Sequence, residues 1–121
     1  MNMDLFLCKE VRIELQRFGV GSNIAERGMK NIAESVRNIL NDCDAIHISL
    51  DIDCLDPSAA PGTGIPEFGG LTSRDVLTLL KSMQGLPLVG LDVVEIAPAL
   101  DPSEATVFAG LKIIMEYIAV I

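Results

Sequence analysis

Two short apolar runs, residues 45–51 and 88–96, limit the possible folds of this chain more than any other feature. Ala-Ile-His-Ile-Ser-Leu-Asp and Leu-Val-Gly-Leu-Asp-Val-Val-Glu-Ile are rich in β-favouring residues and read as strands. Between them, Leu71-Thr72-Ser73 opens a helix in which Val76, Leu77, Leu80 and Met83 face a core and Gly85 supplies the stop. Strands joined through a helix pair in parallel, with a right-handed crossover and helices covering the sheet. A last helix is expected from Asp101 as N-cap, with Pro102 at its first position and Glu104 three residues after the cap; Phe108, Leu111, Met115 and Ile118 form the expected buried stripe.

Upstream, Leu5, Val11, Leu15 and Phe18 make a loose helical stripe over 4–17, closed by Gly19. A second helix is expected over 23–40, capped near Ser22, with Ile24, Met29, Ile32, Val36, Ile39 and Leu40 recurring near a 3.6 period. The expected class is therefore α/β, a partial βαβα unit preceded by two helices. With 121 residues, half of them apolar, and no linker or low-complexity tract, one domain is expected.

Seventeen acids against nine bases leave a net charge of −8. That balance argues against nucleic acid and anionic membrane as partners and favours cationic ligands. No apolar run is long enough to cross a bilayer and the start lacks a secretory pattern, so a cytoplasmic protein is expected. Cys8, Cys43 and Cys54 have neither disulfide nor zinc spacing and read as reduced thiols.

The acids gather at the strand ends. In open parallel sheets, ligands bind beyond the carboxyl ends of the strands. Asp51 and Asp53 are two apart, so in extended chain their carboxylates converge on one face, where a divalent, oxygen-seeking cation would relieve their repulsion. Glu95 is either a site residue or the point where the second strand meets water. Asp92, inside the apolar run, needs a partner and reads as structural. His47, the only histidine, shares the face of Ser49 and Asp51 but lies about 13 Å from Asp51 in extended chain, and also reads as structural.

Taken together, Ser49-Leu50-Asp51-Ile52-Asp53, Asp56-Pro57, Pro61-Gly62-Thr63-Gly64 and Gly69-Gly70-Leu71-Thr72 resemble the ureohydrolase family of arginases and agmatinases. The likeness continues through Val89-Gly90-Leu91-Asp92-Val93-Val94-Glu95 and the closing helix. The wording of the proline-glycine loop and of the second strand is closer to agmatinases, although Ile65 stands where a threonine is usual. The resemblance implies a three-layer α/β/α arginase-like fold, a pair of manganese ions held in part by Asp51 and Asp53, and Glu95 gripping the guanidinium of a small cationic substrate such as agmatine. It further implies hydrolysis by a metal-bridging hydroxide to urea and an amine.

Family members draw further ligands from an upstream His-x-Asp-x-His-type segment and a separate histidine, which this chain lacks. Two carboxylates cannot hold two ions that each take about six ligands. Residues 1–121 therefore read as the incomplete C-terminal portion of one domain, inactive alone, and expected to self-associate or to need the missing N-terminal segment. The alternative is a non-catalytic remnant or assembly module with weak cation binding. A phosphotransferase using Asp-x-Asp is disfavoured, because Cys54-Leu55-Asp56-Pro57 follows and no lysine lies near either strand end.

Overall fold

The computed structural model describes residues 3–7, 13–14 and 26–121. The expected cap at Ser22, the thiol of Cys8 and the positions Val11, Leu15, Phe18 and Ile24 lie outside them. Strands β1 (Met3–Leu7), β2 (Ile13–Glu14), β3 (Ile46–Asp51) and β4 (Leu88–Val94) form one sheet in the order β2-β1-β3-β4. The sheet is accompanied by the α-helices α1 (Met29–Leu40), α2 (Ser73–Ser82) and α3 (Ala105–Val120).

The β3-α2-β4-α3 succession matches the βαβα expectation. β3 and β4 pair in parallel, Ile48 beside Leu91 and Asp51 beside Val94. Along β3 the side chains alternate: Ile46, Ile48 and Leu50 are fully buried, while His47, Ser49 and Asp51 are half-buried on the other face. That period of two follows from the pleat, and it hands the apolar set to the helices. Met29, Ile32, Ala33, Val36 and Leu40 of α1 and Val76, Leu79 and Leu80 of α2 join the same core.

Local chemistry accounts for α2. Thr72 accepts from the backbone N–H of Asp75 at 3.1 Å, and Asp75 accepts in return from the N–H of Thr72 at 2.9 Å, a capping box that satisfies two otherwise orphaned donors. Beyond its far end, Gly85 takes a left-handed φ of 83°, which costs glycine little. Arg37 of α1 reaches across to donate to the carbonyls of Ser82 and Gln84, the latter at 2.8 Å, covering acceptors at the end of α2.

Three expectations give way. The helix foreseen over 4–17 is replaced, where described, by two strands: β1 runs antiparallel to β3, Leu5 beside Ile48, and pairs with β2. The edge of β3 away from β4 offers a row of unpaired backbone groups, and pairing with it overrides a weak local stripe. The start of α3 also moves, since Glu104, not Asp101, is the N-cap, and it sits in left-handed geometry at φ 58°. Finally, the expected stripe of Phe108, Leu111, Met115 and Ile118 is exposed, and Thr106, Gly110, Ile113, Tyr117 and Val120 are buried instead. A helix that is apolar nearly all round has no single face for periodicity to find. Gly110 decides the matter, for a Cβ there would lie 2.5 Å from Cδ1 of Ile96, so this is the face that approaches the sheet most closely.

Among the described residues no helix is long and apolar enough to cross a membrane. Leu79 is fully buried and Leu111 is half exposed. Leu79→Ala is expected to lower the unfolding free energy by about 2–5 kcal/mol, and Leu111→Ala by no more than about 0.5 kcal/mol. Urea denaturation followed by circular dichroism checks the pair; equal losses would contradict this burial of α3.

Candidate active site

Parallel pairing brings the carboxyl ends of β3 and β4 to the same edge of the sheet. Asp51 closes β3 and stands opposite Val94, so Glu95 is one residue beyond that pair on the neighbouring strand. The chain then tightens into a 3-10 turn, Ile52–Cys54, which Asp51 caps by accepting from the N–H of Asp53 at 3.1 Å. Asp53 is therefore on the turn and not on the strand, with 8% of its surface exposed. The two carboxylates are neighbours, brought together by a turn and not by the strand alternation expected of them.

Burial raises the Asp51 carboxyl above its ordinary range, and the charge of Asp53 adds to the rise against the opposing hydrogen bond from Asp53 N–H. Burial together with the same two carboxylates pushes the Cys54 thiol up to about 12, so it stays protonated and unreactive. Cys43 is likewise a free thiol.

Asp56 and Asp101, by contrast, are satisfied. One oxygen of Asp56 accepts from the N–H of Ser58 and the other from the N–H of Gly69, both at 2.9 Å, which ties the proline-glycine loop shut; the Ser58 side chain, followed by these two N–H groups, holds that carboxyl below its usual range. Asp101 accepts from Ser103 Oγ at 2.5 Å and Ser103 N–H at 3.1 Å, and from Thr106 N–H at 2.9 Å and Thr106 Oγ1 at 2.8 Å. These bonds, led by that from Ser103, bring its carboxyl down to about 2. Asp101 thus still serves a backbone donor of the first turn of α3, from farther upstream than an N-cap.

This carboxylate anchors a lattice that joins the two strand-end loops. Thr106 Oγ1 accepts from Gly62 N–H at 2.7 Å, and Gly62 C=O accepts from Ala97 N–H at 2.8 Å. Glycine is required there, because a Cβ would lie 2.6 Å from that of Asp101 and 2.9 Å from Thr106 Oγ1. Next to it, Thr63 is 3% exposed, and its hydroxyl has no hydrogen-bond partner among the described residues. Sequence reasoning singled out Asp101 by its turn chemistry but missed Thr106, whose burial has no local signal.

Glu95 is exposed and adopts φ 65°, a conformation uncommon outside glycine and enriched at functional positions. On the open face of the sheet, Ser49 Oγ donates to Asp92 at 2.5 Å, and His47 Nε2 lies 3.6 Å from the other Asp92 oxygen. Asp92 and His47 thus stand as cross-strand partners between β3 and β4. Gly90 makes room for the imidazole, since a Cβ there would lie 2.5 Å from His47 Cδ2.

Asp51 and Asp53 offer hard oxygen donors whose mutual repulsion a cation would relieve. They do not amount to a complete metal site: among the described residues no group of three or more His, Cys, Asp or Glu side chains could hold an ion.

A parallel α/β unit with its acids assembled beyond the strand ends is the setting of a ligand-binding or catalytic crevice. The sequence profile of the arginase family matches residues 13–119, and the chain belongs to that family. It is 43% identical over 95 residues to an agmatinase of Edwardsiella ictaluri, an alignment covering 78% of this chain and 31% of the relative. Among solved structures it resembles a hypothetical agmatinase from Burkholderia thailandensis, with TM-score 0.78 and 37% identity over 83% of this chain and 31% of that one. It also resembles the arginase of Bacillus subtilis, with TM-score 0.76 and 28% identity over 85% of this chain and 39% of that one. The chain thus spans about a third of the length of these relatives.

Two outcomes test the loop lattice. Gly62→Ala is expected to cost about 1–3 kcal/mol of stability by overpacking against Asp101 and Thr106, measured by urea denaturation. Asp101, lowered from 3.8 to about 2 in the folded chain, binds a proton less readily there than when unfolded. Its contribution is therefore present above about pH 4 and lost as the pH falls towards about 2. The urea midpoint of Asp101→Asn should fall less steeply than that of the wild type over this window; identical slopes would remove Asp101 from the acid response.

Proposed function

We propose that residues 1–121 act as the C-terminal portion of a manganese-dependent ureohydrolase domain that converts a small guanidine, of the agmatine type, to urea and an amine. The observation that carries this reading is the convergence of Asp51 and Asp53 at the end of β3 with Glu95 one residue beyond the Asp51–Val94 pair. Membership of the arginase family supports the reaction class, and the agmatinases among its relatives support the substrate class.

In this reading Asp51 and Asp53 hold manganese together with ligands contributed from outside the described residues. The carboxyl of Asp51 is raised by burial and further by the charge of Asp53, both of which a bound cation would offset. When bound, the ions supply a water acidified enough to attack at neutral pH. Glu95 is assigned the guanidinium, a planar cation whose paired N–H groups match the two oxygens of a carboxylate. Its left-handed backbone, at φ 65°, turns the chain away from the line of β4. The loop joined by Asp56 and Gly62 walls the crevice, and Ile65, 74% exposed on that loop, bears on the choice of guanidine.

The test combines the full chain with the part of the Edwardsiella ictaluri agmatinase outside the matched 95 residues, in manganese, with agmatine as substrate. Urea release is expected. Glu95→Gln should retain manganese while lowering kcat/KM about 10- to 100-fold, the worth of a charge-assisted hydrogen bond. Asp51→Asn and Asp53→Asn should each lose manganese, read by calorimetry. A folded assembly that holds manganese and releases no urea from agmatine or other guanidines would refute the proposal.

A further inference from the structure

Helices α2 and α3 pack against each other and leave a small cavity between them. Val76 and Leu77 of α2, Ala109 and Ile113 of α3, and Leu55 from the turn after β3 form its walls. Ser73 and Lys112, both exposed residues, complete a lining that is almost wholly carbon, so each contributes its hydrocarbon part. The cavity measures about 40 Å³, where a single water needs only about 10–15 Å³, and carbon walls give a water no hydrogen-bond partners. A short alkyl group suits both the size and the chemistry of this space.

Cations stand around its mouth. Beyond Arg37 the only bases of the chain are Arg74, Lys81 and Lys112, and all of them belong to these two helices. Arg74 and Lys81 are two helical turns apart on α2, so they share a face, with Leu77 between them. Lys112 pairs with Glu116 one turn farther along α3. The Glu116 carboxyl is held below its usual range first by the Lys112 hydrogen bond and, against an opposing effect of burial, by the charges of Lys112, Lys81 and Arg74. Asp75, the other acid of α2, is taken up by the capping box with Thr72. A chain of net charge −8 thus keeps a local excess of positive charge beside an apolar cavity.

We propose that the cleft between α2 and α3 binds a small carboxylate with a short alkyl tail, the tail entering the cavity and the carboxylate resting among Lys112, Arg74 and Lys81. A guanidinium matches the two oxygens of a carboxylate, and the ammonium groups add charge without demanding a fixed geometry. The alkyl tail gains by leaving water for carbon walls. Amines and guanidines are repelled here, so this site differs from the acidic strand-end edge in the sign of the ligand it takes.

The experiment titrates the full, nitrogen-labelled chain with sodium butyrate at low ionic strength and follows the backbone amide resonances. Saturable shifts are expected at Val76, Leu77, Ala109 and Ile113, with none at Asp51 or Glu95. Acetate carries the same charge on a shorter tail and should bind about tenfold more weakly, and butylamine should not bind. Lys112→Met, which keeps the stem and removes the charge, and Arg74→Gln should each weaken butyrate about tenfold, whereas Lys30→Ala on α1 should leave it unchanged. Ala109→Leu, which fills the cavity, should abolish binding, with circular dichroism confirming that the helices remain; if that variant fails to fold, the two exposed rim variants decide. No saturable shift with butyrate overturns the proposal. So do equal binding of acetate, indifference to the rim variants, and shifts centred on the strand-end acids. A homodimer seen by light scattering that Lys112→Met or Arg74→Gln dissolves would make a second copy the occupant, and overturns it as well.

Discussion

The parallel pairing of β3 with β4 is the constraint on which the rest depends. A parallel neighbour brings both carboxyl ends to one edge, and the register sets Asp51 opposite Val94. From that single geometric fact follow the approach of Glu95 to the Asp51–Asp53 turn and the meeting of the two strand-end loops through Gly62. The pairing in turn depends on the buried row of Ile46, Ile48 and Leu50, since a slip of one residue would send that row to the open face and the polar row into the helices.

The acids of this edge divide by what their oxygens receive. Asp56 and Asp101 are supplied with N–H and hydroxyl donors, and both carboxyls are held below their ordinary range. These two tie loops and a helix start together, and ionisation strengthens each tie. Asp51 moves the other way, because it is partly buried beside another carboxylate. An arrangement that raises the cost of a charge instead of satisfying it contributes little to folding, and such carboxyls are found more often at functional sites than in scaffolding. The direction of the shift, more than the count of acids, separates scaffold from candidate site.

Much of this was readable from local sequence, for identifiable reasons. The period of β3, the stop at Gly85, the helix opening at Leu71-Thr72-Ser73, and the motif words around Asp51, Asp53 and Glu95 each depend on residues a few positions apart. The proximity of Asp51 and Asp53 was expected, but Asp53 reaches Asp51 around a 3-10 turn and not along the strand. Thr106 and the Ser49–Asp92 pair were not foreseen, because their partners lie 44 and 43 residues away.

The α/β class and the order of the central elements were thus contained in the chain's own pattern. Three matters were settled only by tertiary packing: that residues 3–7 form a strand, that α3 begins at Ala105, and that it buries Gly110 and Tyr117 in preference to Phe108 and Ile118. Local pattern encodes the period and the turn chemistry of a segment. Which strand edge is paired, and which of two apolar faces is covered, depends on surfaces contributed from far along the chain.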